Sequence, residues 1–344
     1  MTPRRRAGQV LLALLLAGGL VGCGSEAGSD GGDEAGWPSG EVSIDTSGLV
    51  YAIGDTVHLG DGSTVAVGDE IERFVLGGGG VFYSTDESGP EAGRYLAAAP
   101  LYYSDGTGKA TRLAESAANP RTSPDGRYLG FVDTISGTRD EFDTPQAQVV
   151  VVDLESGEEV ARTSEAMGDP GSDDLADLYE DAEPGALVVT DDTATYDGVG
   201  ALVSIDLASG DVSSTEEADD ELFRLPPYDD RRSPDGSWRI DDVDRDYPET
   251  HDRLASSDGQ KVPLSGVPPI VDLLWWVDDT TAAGIAVDGG FGGDGFYADG
   301  TSAELVRCVV PSGACTPVDG TAGTTVHVPE GTVDGTTFEL PDGS

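Results

Sequence analysis

The chain is 344 residues long, enough for one large domain or two ordinary ones. Its 65 acidic residues against 19 Lys and Arg give a formal charge of −46, which excludes a nucleic-acid surface of the usual kind, because phosphate neutralisation needs clustered Lys and Arg. The same charge argues against loose electrostatic docking on anionic lipid, while 49 Gly, 4 Trp, 11 Tyr and 8 Phe leave material for a turn-rich core.

Residues 1–23 read MTPRRRAGQVLLALLLAGGLVGC. Arg4, Arg5 and Arg6 form a basic start, and the apolar run from Val10 to Leu16 is shorter than the about 20 residues that a membrane span needs. This pattern predicts a signal peptide over 1–22. It ends on Leu20-Val21-Gly22-Cys23, which resembles the lipobox of bacterial lipoproteins. The resemblance implies diacylglyceryl transfer to the Cys23 thiolate, cleavage before it, and a protein held by lipid on the extracytoplasmic face of the cell membrane. The arginines also fit the opening of a twin-arginine signal, but the rest of that motif is missing, so the general secretory route is expected. Segment 23–44 follows as Gly, Ser and acid with little to bury, which predicts a flexible linker.

From about residue 45 the apolar stretches are short, rich in Val, Leu, Ile and Tyr, and bounded by Gly, Asp, Pro and Ser, as in strands joined by turns. Three strands are expected at 49–53, 56–59 and 63–67. One hairpin recurs along the chain: VHLGDGSTVAV (57–67), LYYSDGTGKATRL (101–113), VVVDLESGEEVAR (150–162), LVSIDLASGDVSS (202–214), RLASSDGQKVPL (253–264) and LVRCVVPSGACTPV (305–318). Glycine at the tips permits the positive φ that closes a tight hairpin. A second unit precedes several of these hairpins: SPDGRYLGFV (123–132), SPDGSWRID (233–241), and the degenerate EPGALVVTD (183–191) and WVDDTTAAGIAV (276–287). Turn–strand followed by strand–turn–strand, every 44–52 residues, gives four strands per period, the content of one propeller blade.

The two SPDG segments and the downstream hairpins resemble TolB-like and WD-repeat β-propellers, TolB-like more closely because the Gly-His and Trp-Asp pairs of WD repeats are missing. The expected fold is therefore all-β: a propeller over 45–330 with six four-stranded blades at about 45–68, 69–114, 115–163, 164–214, 215–265 and 266–320. TTVHVP (324–329) is left over as a strand that completes the first blade, and 331–344 reads as a C-terminal tail. A seven-bladed ring and a pair of β-sandwiches are the alternatives.

Candidate chemistry is sparse. Cys308 and Cys315 fall opposite each other across the last hairpin, and in an exported protein this predicts a disulfide. His58, His251 and His327 have no metal or catalytic spacing. Asp242, Asp244 and Asp246 have the alternate spacing of the first ligands of a calcium loop, but Tyr247 stands where Gly is needed and Arg253 where Glu is needed. They are weak metal candidates, and calcium is the one cofactor left open; otherwise none is expected. Phe291, Phe296 and Tyr297, in a glycine-rich loop, form either a recognition surface or a mobile loop with partly buried aromatics. Leu175, Leu178 and Tyr179 suggest one short helical turn within an acidic loop over 164–184. The expected function is a non-enzymatic, membrane-anchored scaffold binding a protein, peptide or glycan. The alternative is an exported hydrolase or lyase with acidic channel residues, with or without calcium.

Overall fold

The computed structural model describes residues 36–41, 44–87, 96–108, 110–182, 184–215, 231–241, 253–268, 270–291, 297–333 and 335–344. Blade 1 contains β1 (Tyr51–Ile53), β2 (Thr56–His58) and β3 (Thr64–Ala66). Blade 2 contains β4 (Arg73–Gly77), β5 (Gly80–Ser84), β6 (Ala99–Ser104) and the first half of β7 (Thr111–Thr122). The second half of β7 opens blade 3, followed by β8 (Tyr128–Asp133), β9 (Gln148–Asp153) and β10 (Glu158–Thr163). After helix α1 (Leu175–Ala182) come β11 (Leu187–Val189), β12 (Thr193–Gly198), β13 (Ala201–Asp206) and β14 (Val212–Thr215) of blade 4.

Blade 5 holds β15 (Trp238–Asp241), β16 (Arg253–Ser256) and β17 (Lys261–Val262). A bridge from Arg232 to Arg239 marks its first-strand position. Blade 6 holds β18 (Ile270–Asp278), β19 (Thr281–Asp288), β20 (Ser302–Val309) and β21 (Ala314–Pro317). The chain returns to blade 1 with β22 (Thr324–His327) and β23 (Thr337–Leu340). β22 pairs antiparallel with β1, with Ala52 opposite His327, so the TTVHVP strand does complete the first blade. β23 then pairs with β22 and makes that blade five-stranded, so the expected tail contributes to the sheet. Five sheets result, because β7 pairs with both β6 and β8 and merges blades 2 and 3; none of the five closes on itself.

The blades pack face to face, as a propeller requires. One hydrophobic core lies between blades 1 and 2, and the others lie between 2 and 3, 3 and 4, 5 and 6, and 6 and 1. Strand alternation explains how one sheet serves two cores. In β8, Leu129 and Phe131 enter the core shared with blade 2, while Tyr128 and Val132 enter the core shared with blade 4. Gly130 permits the close approach, since a Cβ there would lie 2.9 Å from side chains of Leu187 and Val189. Residues 216–230, which link blade 4 to blade 5 in sequence, lie outside the described residues.

The SPDG repeat has a local cause. Ser123 Oγ donates to Asp125 (2.6 Å) and accepts from the Tyr128 N–H (2.9 Å), while Asp125 accepts from the Arg127 N–H (3.0 Å). Ser233, Asp235, Ser237 and Trp238 repeat this arrangement, and Gly126 and Gly236 both take φ 72°. Each copy closes the turn between the first and second strands of a blade.

One expected boundary shifts. Residues 36–41 and 44 fall within the expected linker, yet they pack on the ring. Trp37 lies against Phe131, with centroids 5.5 Å apart, at the core between blades 2 and 3. The Gly40 N–H donates to Leu154 O at 3.2 Å, and the Ile44 N–H to Gly78 O at 3.4 Å. The indole has apolar surface to bury, which outweighs the polar composition around it.

Candidate functional site

The connections divide between two faces. Turns joining first to second and third to fourth strands fall on one face; second-to-third loops fall on the other. On the first face Leu154 N–H donates to Arg127 O (2.8 Å), and Gly78 N–H to Gly126 O (2.7 Å), so turns of neighbouring blades touch. A cavity of about 410 Å³ opens there, where first strands converge. Its wall takes Leu76 from β4, Thr122, Ser123 and Pro124 from the end of β7, and Trp275, Trp276 and Val277 from β18. Two further segments finish it: Thr46, Gly48 and Val50 before β1, and Pro329 to Thr332 after β22.

The charge at this site is arranged around Glu330. Its carboxylate accepts from Arg121 Nη1 at 3.0 Å and lies 3.8 Å from Arg73 Nε, and Thr336 Oγ1 donates to it at 3.3 Å. The Glu330 N–H donates to Phe74 O at 2.8 Å, fixing the segment against β4. Arg121 Nη1 also donates to Pro120 O at 2.9 Å. Both Glu330 and Arg121 are largely buried, so each offsets the desolvation of the other. Glu330 is the one carboxylate lining the cavity among the described residues, and it is committed to two guanidiniums.

The residues singled out from sequence fall elsewhere. Cys23, Asp242, Asp244, Asp246, Phe296 and His251 lie outside the described residues. Cys308 and Cys315 form a disulfide, sit directly opposite each other in the β20–β21 register, and belong to the core between blades 5 and 6. Phe291 and Tyr297 stack at 5.3 Å in the β19–β20 loop, on the face opposite the cavity. Tyr297 packs against the core between blades 6 and 1, where burial raises its pKa with help from Asp272; Phe291 stays 36% exposed. His58 stacks on Tyr51 at 4.6 Å, and His327 is buried with Nδ1 3.1 Å from Thr337 Oγ1. Among the described residues no group of three or more His, Cys, Asp or Glu is placed to hold a metal.

Sequence reasoning missed the cavity. Its one signal was an acid between Pro and Gly, Pro329-Glu330-Gly331, directly after the closing strand. Nothing local reveals that Arg121, more than 200 positions away, meets it.

No protein family matches the sequence, and no curated protein matches it. Solved structures do. A putative TolB from Agrobacterium tumefaciens is 13% identical over 76% of this chain and 86% of its own, with TM-score 0.32. TolB from Acinetobacter baumannii is 13% identical over 87% of this chain and 67% of its own, with TM-score 0.34. The β-propeller domain of the Trilobed protease from Pyrococcus furiosus is 13% identical over 80% of this chain and 98% of its own, with TM-score 0.41. At these scores the propeller assignment stands on strand order and on the blade-to-blade cores.

Proposed function

We propose that this chain is an extracytoplasmic lipoprotein, anchored to the cell membrane through Cys23, whose propeller is a non-enzymatic scaffold that binds a glycan or an uncharged peptide at the axial cavity. The composition of the cavity wall carries the ligand assignment. The half-buried Trp276 stands in the wall with Thr46, Thr122 and Thr332, and the single carboxylate is already neutralised. Apolar faces with a few neutral donors and acceptors suit hydroxyl- or amide-bearing ligands without strong charge. No cofactor is part of the proposal.

Titration of the full-length, detergent-solubilised protein with neutral oligosaccharides and peptides tests it through tryptophan emission. A saturable change is expected with one of the two classes, lost in Thr332→Trp, which fills the mouth. No saturation at millimolar concentrations with either class would remove the ligand assignment. The anchor is tested separately: Cys23→Ser is expected in the medium or as an uncleaved precursor. A processed Cys23→Ser protein that still fractionates with membranes would overturn the anchor.

A further inference from the structure

The face opposite the cavity carries a feature that the ligand proposal leaves unused. Residues 134–147, between β8 and β9, form a stiff finger. Gln146 N–H donates to Thr138 O (2.8 Å), Asp140 N–H donates to Thr144 O (3.0 Å), and Arg139 bridges to Pro145. At its tip the Asp140 carboxylate accepts from the N–H groups of Phe142 (2.9 Å) and Thr144 (2.8 Å) through one oxygen. Its other oxygen accepts from the N–H of Leu175 at 2.9 Å, in the first turn of α1. Gln146 Nε2 donates to Gly168 O at 2.6 Å, and Tyr179 Oη joins the Ala147 N–H to Met167 O. Finger, 164–174 segment and helix are thus one braced unit. Asp143, next to the tip, is held at φ 69°, a conformation that L-residues rarely adopt.

This bracing holds Phe142 out in water, 60% exposed, more than any other large apolar side chain among the described residues. An aromatic ring on a rigid support has little ordering entropy left to lose on binding, the property of an interface anchor. Glu141 and Asp143, its neighbours in the chain, are both exposed, and Arg139 is paired with Asp143. We infer that Phe142 and its acidic surround dock a protein partner that offers an apolar pocket rimmed by Lys and Arg. A lipid bilayer would take the ring, but its anionic headgroups would repel the surrounding carboxylates. This inference does not depend on the axial ligand.

The test places a photo-crosslinking residue at 142 in the full-length, membrane-anchored protein, with Asp279 on the opposite face as control position. One protein adduct is expected from 142 and none from 279. The captured protein, purified, is expected to bind wild type with an affinity that falls as salt rises. That affinity should drop at least tenfold for Phe142→Ala and for Glu141→Lys/Asp143→Lys, with thermal midpoints unchanged. Adducts with lipid alone, no adduct, equal capture from 279, or a partner indifferent to Phe142→Ala would each overturn it.

Discussion

Asp140 shows how much one side chain can organise here. Burial works against its charge, and the N–H donors of Leu175, Thr144 and Phe142 outweigh that, holding its pKa below the usual carboxylate value. Removing the carboxylate in Asp140→Ala leaves these three donors short of a partner. The expected loss is about 1–3 kcal/mol in urea unfolding, together with faster hydrogen exchange at 142, 144 and 175. Because the folded pKa lies below the unfolded one, Asp140 contributes its stability in full above the ordinary carboxylate pKa of about 4 and loses it as pH falls through the lower folded value. The gap between wild type and Asp140→Ala should therefore narrow below about pH 4. Gly130 answers to packing instead: Gly130→Ala would press a methyl into Leu187 and Val189 and should cost about 1–3 kcal/mol by the same measurement.

Among the elements, blade 1 joins the two ends of the chain. Both described histidines sit in it, His58 on β2 and His327 on β22 opposite Ala52 of β1. Burial lowers the pKa of each; for His327, Glu72 and Glu70 pull the other way without reversing it. The neutral ring is thus the form that fits. Its contribution to stability is complete above the ordinary histidine value of about 6.5 and is lost as pH falls through the lowered folded values. The thermal midpoint should drop between pH 7 and 5, and His327→Gln should flatten that drop; an equally steep drop in the variant would exclude His327 as its cause. The β20–β21 hairpin calls for a smaller effect. Its disulfide spans a sequence separation of 7, so the Cys308→Ala/Cys315→Ala variant should lose only about 2–3 kcal/mol.

Taken whole, the protein carries −46 charges, and several turn carboxylates are satisfied by their own backbone rather than by cations. Self-repulsion then works against the compact state. Raising NaCl from about 0.01 to 0.15 M shortens the screening length from about 30 to 8 Å, and the thermal midpoint should rise with it. A midpoint indifferent to salt would mean that the acids are too well spread to repel.

Local chemistry made the strands and turns legible in advance. Alternating apolar residues, Gly at positive-φ tips and the Ser-Pro-Asp-Gly cassette act over a few positions, so the six hairpins, the 324–327 strand and the Cys308–Cys315 register could all be read from the chain. The same reading failed where distant segments meet. Trp37 lay in a polar stretch and found a core between two blades; β7 passed from one blade to the next without a break; 337–340 added a strand where a tail was expected. The cavity belongs to this second kind. It exists only where Ser123, Trp275 and Glu330 converge, and the pairing of Glu330 with Arg121 depends on packing that brings far-apart segments together, which no short-range pattern encodes.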